Sequence, residues 1–183
     1  MLDVRTARNM HDFLGILTLQ KANLKQGTLS ANQKEDGFVT VTHDMDLLNN
    51  MHKLLPQIVA VDDGEVVGYA LSMDEAVKDH IPVLQPMFEM INRLTFRGAS
   101  IKSGSFYIMG QVCIHPDYRG QGLFKALYDA HQTYFEDEFA YCITEISSSN
   151  QRSIRAHEKV GFQRIHTFTD ATDEWNILLW DWS

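Results

Sequence analysis

Cysteine is scarce in this chain: Cys113 and Cys142 are the two in 183 residues. A pair cannot build a disulfide framework, which points to a reducing compartment and so to a cytoplasmic location. Long hydrophobic runs are missing as well. Ile58-Val59-Ala60-Val61 is typical of the longest, far short of the roughly 20 residues a membrane helix needs, so no membrane partner is expected. The first residues, Met-Leu-Asp-Val-Arg-Thr-Ala-Arg, lack the apolar core of a secretory signal. There is no internal repeat or low-complexity tract, which excludes solenoids and extended linkers. Positive charge is outnumbered, with 16 bases against 24 acids for a net charge of -8. That balance disfavours nucleic acid, whose phosphates select basic surfaces.

What is present describes a globular chain. Hydrophobic residues make up 44% and charged residues 22%, values that argue against disorder. The length suits one domain, spanning residues 1–183, able to bury a core without covalent staples. The charge is unevenly spread. Arg119 and Lys125 face no acid between Tyr118 and Tyr128, and Arg152, Arg155, Lys159 and Arg164 are set against Glu158 alone between Asn150 and Arg164. Two locally positive segments in an acidic chain invite a small anionic ligand, although solvated helix faces read the same way.

The element order is mixed. A short strand over Leu2–Thr6 precedes a helix that opens at Asn9 or His11 and carries Phe13, Ile16, Leu17 and Leu24. A long polar connection follows from Lys25 to Gly37, then a helix from Asp44 to Leu55 stopped by Pro56. Gln57–Val61 and Glu65–Ser72 form a hairpin about Asp62-Asp63-Gly64. Within Met73–Gly104, after Pro82 and Pro86, Met87, Met90, Ile91 and Leu94 share one helical face. A strand over Phe106–Ile114 ends at His115-Pro116-Asp117. A helix then runs from about Gln121 to Phe135 with Leu123, Leu127, Ala130 and Tyr134 on one side. A strand over Ala140–Ile146, a capped helix to Val160 with Gly161 as its exit, and strands over Phe162–Phe168 and Trp175–Trp182 complete the chain. The fold class is α/β, of the mixed α+β kind, with one central mixed sheet.

Two segments carry chemistry. In the first, Ile114-His-Pro-Asp-Tyr-Arg-Gly-Gln-Gly-Leu-Phe-Lys125, a strand passes through a glycine turn into a helix. Gly120 and Gly122 let a ligand approach the backbone, and the first-turn N–H groups have no partner within the helix. With the helix dipole, and with Arg119 and Lys125, this can cradle a pyrophosphate. A bare structural turn uses the same residues. A Walker loop is absent, and the third glycine of a dinucleotide fingerprint is replaced by Lys125. The second segment runs from Glu145 through Asn150 and His157 to Gly161-Phe162 and joins a polar cap to a basic helix.

Together the segments resemble the Gcn5-related N-acetyltransferase (GNAT) superfamily. Arg119-Gly120-Gln121-Gly122-Leu123 is similar to its Arg/Gln-x-x-Gly-x-Gly/Ala signature. Asn150-x-x-Ser153 with His157-Glu158-Lys159-Val160-Gly161-Phe162 is similar to the run that follows it in that family. The resemblance implies a mostly antiparallel mixed sheet flanked by helices, with a cofactor-binding core over about 106–168. It implies acetyl-CoA as co-substrate and a primary amine of a small molecule or peptide as acceptor. Acceptor-side elements are implied at about 25–37 and 73–104. Backbone amides from Gln121 to Phe124 would hold the pyrophosphate. The strand through Cys113 and Ile114 would pair with the pantetheine arm, and Asn150, with Ser153 beside it, would bond the pantetheine.

Glu145 lies five residues before Asn150, at the offset of the general base in the branch that acetylates a ribosomal-protein N-terminus. The resemblance therefore implies Glu145 as base. His157 stands where the family often carries a tyrosine general acid, and a histidine can donate a proton near neutral pH. Phe124 departs from the Gly or Ala of the signature. Nothing basic in the local sequence activates Cys113 as a nucleophile. No Cys-x-x-Cys or His-Glu-x-x-His pattern occurs, so no metal is expected. Trp175, Trp180 and Trp182 read as core or as the contact of a homodimer. The rival reading is a non-catalytic acyl-CoA-binding module of the same fold, which the His157 departure favours and Glu145 disfavours.

Overall fold

The structure is a computed structural model that describes residues 1–24, 39 and 41–183. The expected polar connection at 25–37 lies outside the described residues. Strand β1 (Asp3–Thr6) leads into helix α1 (Met10–Asn23). Asn9 caps this helix by accepting from the Asp12 N–H at 3.0 Å, which satisfies one of the first-turn amides. Helix α2 (Met45–Leu54) is capped by Asp44 in the same way. Strands β2 (Ile58–Asp62) and β3 (Glu65–Met73) form the expected hairpin, with Asp63 and Gly64 both at positive φ in its turn.

The stretch up to residue 104 holds 3-10 turns, the short helix α3 (Gln85–Ile91), and a small ribbon of β4 (Thr95–Phe96) and β5 (Ala99–Ser100). Helix α3 buries Met87, Phe88 and Ile91 and ends there. Leu94, expected on its face, therefore lies past its end. Strand β6 (Phe106–Ile114), helix α4 (Leu123–Phe135), strand β7 (Tyr141–Ser147), helix α5 (Gln151–Val160) and strands β8 (Gln163–Thr169) and β9 (Glu174–Asp181) follow.

Seven strands form one sheet in the order β1-β2-β3-β6-β7-β9-β8. Every pairing is antiparallel except β6 with β7. Those two are parallel because α4 carries the chain back across the sheet between them. Helices α1, α2 and α3 cover one face, and α4 and α5 cover the other; each face has its own apolar cluster.

The expected apolar side of α4 is rotated. Leu123 and Leu127 are buried as expected, but the rest of the face is Tyr128, His131 and Phe135, while Tyr134 is half exposed. The polar tips explain the difference. Tyr128 Oη lies 2.5 Å from His157 Nε2, and His131 Nδ1 lies 3.3 Å from Tyr107 Oη, so both rings can be buried without stranding a polar atom. Among the described residues no helix is long and apolar enough to cross a membrane.

Two irregularities in β6 position the site. The first is a bulge. Leu71 pairs with Gln111 and Ser72 with Met109, so Gly110 is the extra residue. A bulge shifts side-chain alternation by one. Tyr107 and Met109 accordingly join the α4 cluster, whereas Cys113 joins the α1 cluster and Gln111 bonds Tyr69 on that same side. The second irregularity is a splay. The β6–β7 register covers Phe106–Ile108 against Tyr141–Ile143. One further link, from Thr144 Oγ1 to the Met109 carbonyl at 3.0 Å, precedes the divergence. Beyond it, alternate main-chain groups of Gly110–Ile114 point into a wedge instead of a neighbouring strand.

Candidate active site

The wedge opens into a cavity of about 550 Å³ bounded by the end of β6, the turn after it and the facing ends of α4 and α5. Gly120 and Gly122 have φ of +75° and +83°, and a Cβ on either would meet nothing within 4 Å. The turn thus needs glycine for its backbone conformation, and the space beside it is open. Gly122 opens α4 with no side-chain cap, and the first capping bond, from Ala126 N–H to the Gly122 carbonyl, leaves the amides of Leu123, Phe124 and Lys125 without an acceptor inside the helix. Arg119, Lys125, Arg152, Arg155 and Lys159 surround this cradle, and among the described residues no acid lines it. An anion is the ligand such a donor set fits.

Each residue read from the sequence as cofactor-binding has a definite place here. Cys113, Ile114, Arg119, Gly120, Gly122, Leu123, Phe124, Lys125, Asn150 and Ser153 all line the cavity. Gln121 does not: its side chain is exposed and turns back to donate to the Asp117 carbonyl at 2.7 Å, leaving its backbone in the turn. Arg119 ties the turn to its surroundings, with Nε to the Ile114 carbonyl at 3.0 Å and a guanidinium nitrogen to Asn23 Oδ1 at 2.7 Å. Asn150 Oδ1 caps α5 at the Ser153 N–H, 3.3 Å away. Phe124 both lines the cavity and packs edge-on against His157, with ring centroids 5.0 Å apart. The Cys113 thiol is pushed up to about 11 by burial, so it stays protonated and is a poor nucleophile.

His157 is where the structure departs from the expectation. It is 2% exposed and does not line the cavity. Its Nδ1 lies 2.7 Å from the Ser153 carbonyl and must donate there, so Nε2 accepts the Tyr128 hydroxyl. Burial holds the ring down to about 4. A neutral histidine with both nitrogens engaged has no proton to offer the cleft. It serves instead to fix α5 against α4.

Glu145 sits on β7 with its carboxyl on the opposite face, in a second cavity of about 220 Å³. Ile108, Met109 and Gly110 of β6 line this one, and Val112, Cys113 and Ile114 line the first. Successive stretches of one strand therefore border the two. Glu145 Oε2 is buried and has no hydrogen-bond partner. Burial, with the Asp170 charge second, pushes this carboxyl up to about 8. Met73, Leu84 and Met87 wall the cavity from the 73–104 segment, Thr172 and Asp173 from the β8–β9 turn, and Trp175 from the start of β9. Asp170 holds that turn by accepting from Thr172 Oγ1 and from the Thr172 and Asp173 amides at 2.6–3.0 Å.

Sequence reading missed a buried polar network that holds the bulge. Gln111 Oε1 accepts from Tyr69 Oη at 2.6 Å and Gln20 Nε2 at 2.8 Å, and its amide donates to the Val41 carbonyl at 2.8 Å. Gln20 also brackets His43 through the His43 N–H and Nδ1. No local signal reveals this set, because Gln20, His43, Tyr69 and Gln111 come from four separate segments. Among the described residues no group of three or more His, Cys, Asp or Glu side chains could hold a metal ion.

A strand splay, an amide cradle and an acidic pocket thus lie along one sheet. The acetyltransferase (GNAT) family model matches residues 26–162, and the chain belongs to that family. No curated protein sequence matches it. Among solved structures, the fold is shared with yncA of Salmonella typhimurium with its cofactor acetyl-CoA (18% identity, 100% of this chain and 95% of that chain, TM-score 0.66). It is shared too with the ribosomal-protein-S18-alanine N-acetyltransferase of Escherichia coli (14%, 100% and 95%, 0.62). A third similar structure is NAA60 of Arabidopsis thaliana in complex with acetyl-CoA (14%, 99% and 99%, 0.65).

Proposed function

We propose that this chain transfers an acetyl group from acetyl-CoA to a primary amine by direct attack, with both substrates bound at once. One observation carries the reading: β6 borders both cavities, with the anion cradle beside its end and, in the second cavity, the buried and unpartnered Oε2 of Glu145 from neighbouring β7. The amides after Gly122 and the cations of α4 and α5 hold the phosphates. Main-chain groups of Gly110–Ile114 align the pantetheine arm, and N–H groups of that stretch stabilise charge developing on the thioester oxygen. Orientation of the two reactants can be worth about 7–11 kcal/mol of the barrier.

Glu145 takes one proton from the acceptor ammonium. The nitrogen–carbon bond forms, the carbon–sulfur bond breaks, and the second proton shed by nitrogen reaches the departing sulfur through water. His157 has no part in that transfer. Because Glu145 is held up to about 8, its carboxylate form grows as pH rises through that value. A reducing, cytoplasmic setting belongs to the same proposal and rests on two cysteines that are buried and unpaired.

The second reading, a non-catalytic acyl-CoA-binding module, is favoured by the absence of an acid at His157. Thermal shift with acetyl-CoA tests the cradle, since a ligand bound only by the native state raises its stability. Thiol release against a panel of amines then separates enzyme from binder. Binding without turnover of any amine would leave the module reading, and no shift at all would sink both.

A further inference from the structure

The second cavity carries the acids Glu145 and Asp173 in its lining, yet it is shaped for something other than a polycation. Its volume of about 220 Å³ equals about seven water molecules. Met73, Leu84, Met87 and Trp175, with Val41 and Ile108, are among the apolar residues of its wall. Thioether side chains adapt to flexible or flat apolar groups. Polar atoms at the rim are already engaged: Asp173 accepts from Ser147 Oγ at 2.7 Å and from the Glu174 N–H at 2.8 Å, and Thr172 bonds Asp170 and Trp175. Among the described residues, the one buried polar side-chain atom of the lining without a partner is Glu145 Oε2. It can accept from a single ammonium.

We infer that the acceptor is a primary amine borne on a short apolar group with no second charge, its nitrogen at Glu145 and its carbon body among Met73, Leu84, Met87 and Trp175. This rests on the acetyl-transfer reading and deepens it. A second ammonium would lose its water against methionine side chains, and the one further carboxylate of the lining, Asp173, already accepts from Ser147 and Glu174. The net charge of -8 draws any cation towards the protein, but the walls of this cavity select among cations.

The test has two arms. Calorimetric binding to the CoA-saturated protein compares propylamine, butylamine, hexylamine and 2-phenylethylamine with putrescine and 1,6-diaminohexane. Acetylation rates are measured for the same amines and for peptides with amino-terminal leucine or lysine. Burial of apolar carbon predicts affinity rising by up to about fourfold per methylene from propylamine to hexylamine. Each diamine should bind at least tenfold more weakly than the monoamine of equal length. Leu84→Trp, which fills a half-buried wall position, should abolish the chain-length trend, while Leu84→Met should keep it.

Flat dependence on length, or diamines matching monoamines, overturns the inference even if acetylation proceeds. A preserved trend in binding with no acetyl transfer to any amine upholds the pocket and overturns the enzyme reading instead. Selective acetylation of the leucine peptide over the free amines would identify a chain terminus as the source of the apolar amine; the converse would identify a small molecule. Preference for the lysine peptide would count against the inference.

Discussion

The two cavities bordering β6 differ in sign and in what fixes them. The first is ringed by Arg119, Lys125, Arg152, Arg155 and Lys159 with no acid among the described residues that line it, in a chain of net charge -8. The second holds Glu145 and Asp173, with no cation among the described residues that line it. Local sequence builds the first: one turn and two helix ends supply its donors. Distant segments build the second, with walls from the 73–104 stretch, β6, β7 and the β8–β9 turn. The proposed two-substrate reaction would gain from this contrast, because an anionic thioester donor and a cationic acceptor would each be repelled from the other's place.

The sharpest way to break the contrast is at Gly122. A valine there would hold a β-branched residue at φ +83° and crowd the cradle, so Gly122→Val should lower acetyl-CoA affinity by at least about 100-fold. Circular dichroism should show the fold retained, and calorimetry reads the affinity. Glu145→Gln acts on the other cavity alone. It should reduce kcat by about 10²–10⁴, leave the acetyl-CoA dissociation constant within twofold, and erase the rise in rate through pH 8. A variant that turns over normally across pH would show that the base lies elsewhere.

Arg155→Ala and Lys159→Ala should each weaken acetyl-CoA by up to about tenfold, as expected for a partly screened charged contact. Their effect should shrink in high salt while the amine KM stays constant. His157→Phe tests the core assignment. It strands the buried Tyr128 hydroxyl and should cost about 1–3 kcal/mol of stability, with kcat per folded molecule little changed.

Stability against pH distinguishes the two acid–base environments by sign. His43, His131 and His157 are each held down to about 4 by burial. The unfolded chain therefore binds more protons below about 6.5, and stability falls as pH drops from there towards 4. Glu145 runs the other way. Its raised value means the folded state keeps a proton that the unfolded state has lost, so its contribution fades as pH rises from about 4.5 through 8. Glu145→Gln should become progressively more stable than wild type over that range, read by melting temperatures from pH 5 to 9.

Much of the first cavity is legible in the chain. Strand, glycine turn and helix start within a dozen residues, and neighbours in sequence are neighbours in space there. Asn150 and Gly161 bound α5 as read, since capping chemistry is local. His157 misleads because its position in a motif says nothing of which way its ring points. Tyr128, 29 residues earlier, decides that. The face of α4 is misread for a related reason: simple apolar periodicity favours Ala130 and Tyr134, whereas hydrogen-bonded tips allow Tyr128 and His131 to be buried. The bulge at Gly110 is invisible in sequence, yet it sends Gln111 and Cys113 to the α1 face.

The sequence by itself determined the order of the seven main-sheet strands and the principal helices, the caps, and the glycine turn before α4, because each depends on dihedral preference and on donors within a few residues. Only the tertiary structure decided that β6 and β7 part after three paired residues, that Glu145 Oε2 ends buried and unpartnered, and that His157 belongs to the core. Those outcomes depend on burial and on partners far along the chain, and both exist only once the sheet has closed around them.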